Sequence, residues 1–219
     1  MGDERAALAE IWPLFGLAIT TPRLVLRLPT DDQLVTVARL SGDIHGPDER
    51  PFSETWNLGP DDERERGVLA FNWRLRSEWN AEAWRLLLAV EAEGEIVGCQ
   101  EISAKSFAVR RTVSSGSWLH RPRHGQGIGT EMRAAILHLA FAGLGAERAE
   151  TAAFDDNAAS QRVSERNGYR QEGDEIDEVD GIRRRCLRYV LDRGAWEGHR
   201  RVEVEIDGLA ACREMFGLT

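Results

Sequence analysis

Apolar and polar positions change rhythm several times along the 219 residues, and each change marks an element. Over 21–30, Leu24, Leu26 and Leu28 alternate with other residues as far as Pro29, the period of a half-buried strand. Residues 31–40 open on Asp31 and Asp32 and predict a helix. Residues 42–62, rich in Gly, Pro and Asp, predict a long loop. Over 61–80, Val68, Phe71, Leu75 and Trp79 fall on one stripe behind a run of acids, as in an amphipathic helix. Trp84–Val90 is apolar on both faces, "EAEGE" turns the chain and "IVGCQEIS" resumes, which predicts an antiparallel hairpin. Residues 111–120 read as a further strand. Ile128, Met132, Ile136 and Leu139, with Ala135, then recur at three- and four-residue steps and predict a helix. "LGAERAETAAF" ends that helix at glycine and starts a strand. Residues 155–169 predict a short helix with Asp and Asn at its start and Asn167-Gly168 at its end. An acidic turn over 171–181 leads to a last long strand, "IRRRCLRYVLDR", and the tail predicts a partial helix and a short strand.

The resulting order is β, helices, three β, helix, β, helix, β. It predicts an α/β (α+β) fold: a mixed, mostly antiparallel sheet of six to seven strands with helices on both faces. No repeat or low-complexity linker interrupts it. One domain over 1–193 is expected, with 194–219 as an extension packed on the same domain.

Composition narrows the partners. The net charge of −9 argues against a nucleic-acid backbone. The three cysteines, Cys99, Cys186 and Cys212, are odd in number and far apart, without metal or disulfide spacing; no metal is expected. Reduced thiols suit the cytoplasm. The acids at the start, Glu10 and Pro13 are unlike a secretory signal, and no apolar run reaches the length of a membrane span. A soluble cytoplasmic protein with no membrane partner is expected.

The candidate chemistry lies in "RPRHGQGIGT" (121–130), where glycines alternate as a helix is about to begin. The first amides of a helix have no internal acceptor and lie at its positive pole. Glycine lets an anion approach the backbone closely and permits positive φ. A P-loop is ruled out because Thr130 and Glu131 follow the last glycine and no lysine is present. A dinucleotide fingerprint needs G-x-G-x-x-G after a first strand; here the spacing is G-x-G-x-G after four strands. A glycine hinge before an ordinary core helix remains as the plain alternative.

The arrangement resembles the GNAT superfamily of acetyl-CoA-dependent N-acetyltransferases. "HGQGIG" (124–129) occupies the place of that family's Q/R-x-x-G-x-G/A motif, with His124 where Gln or Arg is usual. "DDNAASQRVSERNGY" (155–169) resembles its later motif, with Asn after a strand and a G-Y pair closing a helix. "TPRLVLR" and "NAAS..VSE..GY" are similar to the branch that acetylates ribosomal-protein N-termini (RimJ/RimL-like), over about residues 21–192.

The resemblance implies an enzyme that transfers an acetyl group to a primary amine by direct attack on the thioester. A protein or peptide N-terminus is the first candidate acceptor. A small-molecule amine, or a non-catalytic acyl-CoA-binding module, is the alternative. It implies that amides of Gln126, Gly127, Ile128, Gly129 and Thr130 hold the diphosphate of acetyl-CoA, with charge from Arg121 and Arg123 nearby. Trp118, Leu119 and His120 would border the pantetheine arm, and Asn157 and Ser160 would bond it or its helix. Trp118 equally suits the core, and Asn157 a helix N-cap. The tyrosine that commonly protonates the leaving thiolate is absent, with Ser164 in its place; Tyr169 belongs to packing. Ser164 or water would then supply the proton. Glu101 is the first candidate base and His120 the second. His45 and Glu54 in the long loop are candidates for substrate contact, and His138 for surface or packing. The arginines of "IRRRCLR" suit either an acidic partner or a solvated strand face opposite the acids of 171–180. The tail at 200–219 is placed to extend the sheet or to meet a partner, such as a second copy in a homodimer.

Overall fold

The computed structural model describes residues 2–218. Nine strands form one sheet: β1 (Ala18–Thr20), β2 (Leu24–Arg27), β3 (Ala83–Ala92), β4 (Glu95–Lys105), β5 (Thr112–Leu119), β6 (Arg148–Phe154), β7 (Arg170–Val179), β8 (Ile182–Asp192) and β9 (Glu205–Asp207). Their order is β7-β8-β6-β5-β4-β3-β2-β1-β9, and all pair antiparallel except β5 with β6.

Two strands exceed the six to seven expected. β1 is short and folds back on β2. β7 replaces the expected acidic turn over 171–181. Its acids hid it, because strands are usually depleted in Asp and Glu. They are tolerated here because β7 is an edge strand and its pattern is mostly exposed. Arg185 on β8 meets Asp174 on β7 at 2.9 Å, so the arginine run lies across from the acids as its plainer reading anticipated.

Helices cover both faces. On one lie α2 (Asp31–Leu40) and α3 (Asp61–Ser77). Thr30 caps α2 in a capping box with Gln33, and Val37, Ala38 and Val68 pack on Ala89 and Cys99 of the sheet. A single turn, α4 (Phe107–Arg110), precedes β5, and on the other face lies α5 (Ile128–His138), whose Met132, Ala135 and Ile136 are fully buried in the main core. α6 (Ala158–Arg166) and α7 (Arg193–His199) follow, and His138 meets the ring of Trp196 on α7 edge-on at 5.7 Å, a packing role. An unforeseen helix, α1 (Gly2–Ile11), precedes the sheet. In the tail, β9 pairs with β1, and Phe216 packs edge-on to Trp84 at 4.9 Å. Among the described residues no helix is long and apolar enough to cross a membrane.

Candidate active site

Among the described residues the only parallel pair in the sheet is also the shortest relative to its strands. β5 and β6 pair over Thr112–Ser114 and Arg148–Glu150, then part. β5 runs on to Leu119 held by β4, and β6 runs on to Phe154 held by β8. Two strand edges therefore face each other without a ladder between them, a standing supply of unpaired backbone groups. At the fork, Thr151 Oγ1 donates to the Ser115 carbonyl at 2.9 Å and stops the strands closing further. A cavity of about 890 Å3 lies at this gap, lined from both faces of the sheet, by Glu101 and Trp118 on one and by Ser115, Ser117 and Arg133 on the other.

At the outer end of β5 the glycine stretch makes its turn. Gly125 and Gly127 have φ of 74° and 80°, the left-handed region, and Gly127 is the residue before α5. Gly129 sits against Val163 and Leu119, which a Cβ there would meet at ordinary contact distances of 3.4 Å and 3.6 Å. Among the described residues the amides of Gly125, Gln126, Gly127, Ile128 and Gly129 have no acceptor, whereas the Thr130 amide turns back onto the Gly127 carbonyl at 3.1 Å. The free amides thus run from 125 to 129, one residue earlier than the sequence suggested. They converge at the positive end of an eleven-residue helix.

The turn is braced from the far side of the chain. Buried Glu131 accepts from Thr21 Oγ1 at 2.7 Å and from Arg23 Nε at 2.6 Å, and Arg23 Nη1 reaches the Gln126 carbonyl at 3.1 Å. Gln126 itself bonds the Pro122 carbonyl, and His124 Nε2 meets the Leu119 carbonyl. His124 thereby ties the turn to the end of β5. Arg121 is paired with Asp43, and Arg123 with Glu93 and Glu95, so neither is the loose charge that the sequence suggested.

Glu101 lines the cavity. On β4 it lies between Leu87 of β3 and Gly116 of β5 and shares the face of Cys99, towards α2 and α3. Its side chain is only 16% exposed and pairs with Arg85 at 2.8 Å. Burial raises its carboxyl above the usual glutamate range; Arg85 opposes that shift and Glu54 adds to it. The sequence alone left an exposed strand carboxylate as the plainer reading, and the burial removes it. Gly116 opens the space in front: a Cβ on it would meet nothing within 4 Å.

The other candidates divide. Trp118, Asn157 and Ser160 line the cavity with Glu101. Trp118 also packs against Trp56, 6.2 Å away, and Asn157 caps α6 through the Ser160 amide at 3.1 Å, so the alternative roles coexist with the lining ones. Leu119 packs beside Gly129 at the turn. The lining stops at Trp118 on β5, so Leu119 and the turn residues 126–130 lie outside the cavity, as do His120 and Ser164. His120 points to Asp43, 3.3 Å away, because the chain leaves the sheet at that residue. Ser164 is buried and donates to the Ser160 carbonyl of its own helix at 3.1 Å, which uses its only proton. Tyr169 is core, with its hydroxyl 3.3 Å from that of Ser115. In the long loop, Glu54 lines the cavity with Phe52 and Trp56, while His45 bonds Asn57 and Gly46 within the loop.

Several lining residues were not singled out from sequence. Gly116 carried a signal, as a lone glycine inside a strand pattern marks close approach. Arg85, with its guanidinium 5.1 Å from the ring centroid of Phe71, and buried Arg133 on α5 carried none; both are ordinary surface residue types until the faces of their elements are known.

Residues 23–170 match the profile of the acetyltransferase (GNAT) domain family. Among solved structures, RimJ of Mycobacterium smegmatis in complex with a CoA disulfide superposes with a TM-score of 0.72 at 22% identity, covering 92% of this chain and 94% of that one. RimL, a ribosomal L7/L12 alpha-N-protein acetyltransferase in complex with coenzyme A, gives 0.63 at 19% identity, covering 80% and 97%. An acetyltransferase of Salmonella typhimurium, described as modifying the N-terminal serine of ribosomal protein L7/L12, gives 0.63 at 18% identity, covering 78% and 96%. At these identities the likeness is one of fold.

Proposed function

The chain belongs to the GNAT acetyltransferase family and is an N-acetyltransferase; on that footing we propose that it moves an acetyl group from acetyl-CoA to the N-terminal amine of a protein or peptide. The observation that carries the reading is the unpaired inner edge of β5, which leads from five free amides at the glycine turn to a buried carboxylate. The amides of Gly125–Gly129 suit a diphosphate. The free edge of β5 suits an extended arm carrying its own amides, since such an arm can pair as a strand would. Asn157 and Ser160 border the arm. Residues 2–218 act as one unit in this reading, with β9 closing the sheet beside β1.

The reaction is attack of the amine nitrogen on the thioester carbonyl carbon. The C–N bond forms, the C–S bond breaks with its electron pair passing to sulfur, and the amine proton goes to a base. We assign that base to Glu101, acting directly or through one water. Its upward shift brings a carboxylate closer to the amine it must deprotonate. An α-amine, with an ordinary pKa near 8, is about two units easier to neutralise than a lysine side chain, which favours an N-terminal acceptor with so weak a base. The RimJ and RimL neighbours point the same way.

The test is thiol release from acetyl-CoA across peptides beginning with Ser, Ala or Thr and a panel of small amines. The reading expects turnover on at least one peptide, lost when its α-amine is blocked. Turnover confined to small amines would replace the acceptor while keeping the donor site, and acetyl-CoA binding without turnover on any amine would favour a binding module.

A further inference from the structure

Arg133 lies on α5, 3% exposed, and lines the cavity where β5 and β6 part. Its Nη1 donates to Thr151 Oγ1 and its Nη2 to Ser117 Oγ, both at 3.1 Å. Those are neutral acceptors, and they take two of the five N–H donors of a guanidinium. Nε is buried with no partner. Among the described residues no carboxylate lies within ion-pair distance of Arg133, whereas the shielded Arg64 and Arg184 are paired, with Asp61 and Asp156. A buried cation without a counter-charge is strongly disfavoured unless something completes it. The surrounding charged and titratable groups are Glu150 on β6, Glu172 and Glu175 on β7, Arg188 and Tyr189 on β8, and Glu101 on β4; all line the same cavity, and none forms an ion pair with Arg133.

The position specifies the missing charge. From Leu119, beside the glycine turn, to Ser115, at the fork, the free edge of β5 covers four residue steps, roughly 13 Å of extended chain. An arm anchored by its diphosphate at the turn and extended along that edge brings its sulfur to the fork, where Arg133 waits. Ser164, which stands where a tyrosine donor would be expected, gives its proton to the Ser160 carbonyl of its own helix.

We propose that Arg133 is a catalytic residue that stabilises the departing CoA thiolate as an anion, so that no proton donor is required when the C–S bond breaks. The inference rests on the acetyl-CoA reading above. When the bond cleaves, the electron pair stays on sulfur beside the guanidinium, the amine proton leaves through the base, and the thiolate is protonated by water after release.

The test uses the product rather than turnover. CoA and desulfo-CoA are titrated into the protein calorimetrically at pH 7.5, in buffers of different ionisation enthalpy, to count protons released. An opposite charge lowers a thiol's pKa by about one to three units, so wild type should release more protons with CoA than with desulfo-CoA, which carries no thiol. R133Q should abolish the release and weaken CoA about tenfold or more, with desulfo-CoA affected much less. R133K, which keeps the charge, should retain part of the release. The comparison of the two ligands on wild type needs no variant, so a failure of R133Q to fold leaves the test intact. Equal proton counts for CoA and desulfo-CoA would overturn the proposal, as would unchanged release in folded R133Q. Failure of every CoA ligand to bind wild type would overturn the acetyl-CoA reading and this inference with it.

Discussion

The glycine turn and the cavity beside β5 are built from different parts of the polypeptide. At the glycine turn the working groups are main-chain amides, placed by Gly125 and Gly127 in left-handed conformations and braced by Arg23, Thr21 and Glu131. In the cavity they are side chains, Glu101, Arg85, Glu54 and the rings of Phe52, Trp56 and Phe71, gathered from β4, β3, the 42–60 loop and α3. The first is rigid by construction and indifferent to most side-chain identities. The second is a meeting of four segments, any of which changes it. A fold that keeps its donor while varying its acceptor is organised in this way: backbone holds what is constant, and loops hold what is particular.

The sharpest way to break this contrast is Glu101→Gln. Loss of a general base should lower kcat/KM by about 10²- to 10⁴-fold while acetyl-CoA affinity stays within about twofold, measured by thiol release and calorimetry on the same preparation. An equal loss in both would make the turn and the cavity one site rather than two. The pH profile carries the sign: the base works deprotonated, its carboxyl is raised chiefly by burial, and Arg85 opposes that rise. Activity should therefore fall as pH drops through a value above the ordinary glutamate range. Arg85→Met should move that acid limb to higher pH, and an unmoved limb would assign the titration to another group.

Gly127→Val is the complementary lesion. A β-branched residue at φ of 80° is strained by about 1–3 kcal/mol, so the turn should relax away from the shape that bares its amides, and acetyl-CoA should bind about 5- to 150-fold more weakly. Saturating acetyl-CoA should restore most of kcat. A smaller effect is expected from Glu131→Ala, which strips three hydrogen bonds from the brace: a loss of about 1–3 kcal/mol in stability by denaturant unfolding, with a raised KM for acetyl-CoA. Smallest of all, His120→Ala and Ser164→Ala should each leave kcat/KM within about threefold, because neither side chain reaches the cavity. A hundredfold loss in either would return it to the chemistry.

The same contrast explains what was legible in the chain. The glycine turn, the α5 stripe and the Asn157 cap are local: their spacing and residue types carry the geometry, and they stand where expected. Glu101 was reachable by its place on the strand before β5. The cavity was otherwise opaque, since Arg85, Phe71 and Arg133 acquire meaning only when the sheet faces are known. His120 and Ser164 show the reverse case, two residues of suitable chemistry turned away by the exit of β5 and by the rotation of α6. β7 was misread because its acids mimic a turn, and only its place at the sheet edge makes them compatible with a strand.

The most direct measurement is a crystal structure of the protein with bound CoA. The account predicts diphosphate oxygens within hydrogen-bonding distance of the Gly125–Gly129 amides, the pantetheine arm along the free edge of β5 and the sulfur at the fork near Ser115. A diphosphate bound elsewhere, with those amides facing water and the edge of β5 bare, would contradict it.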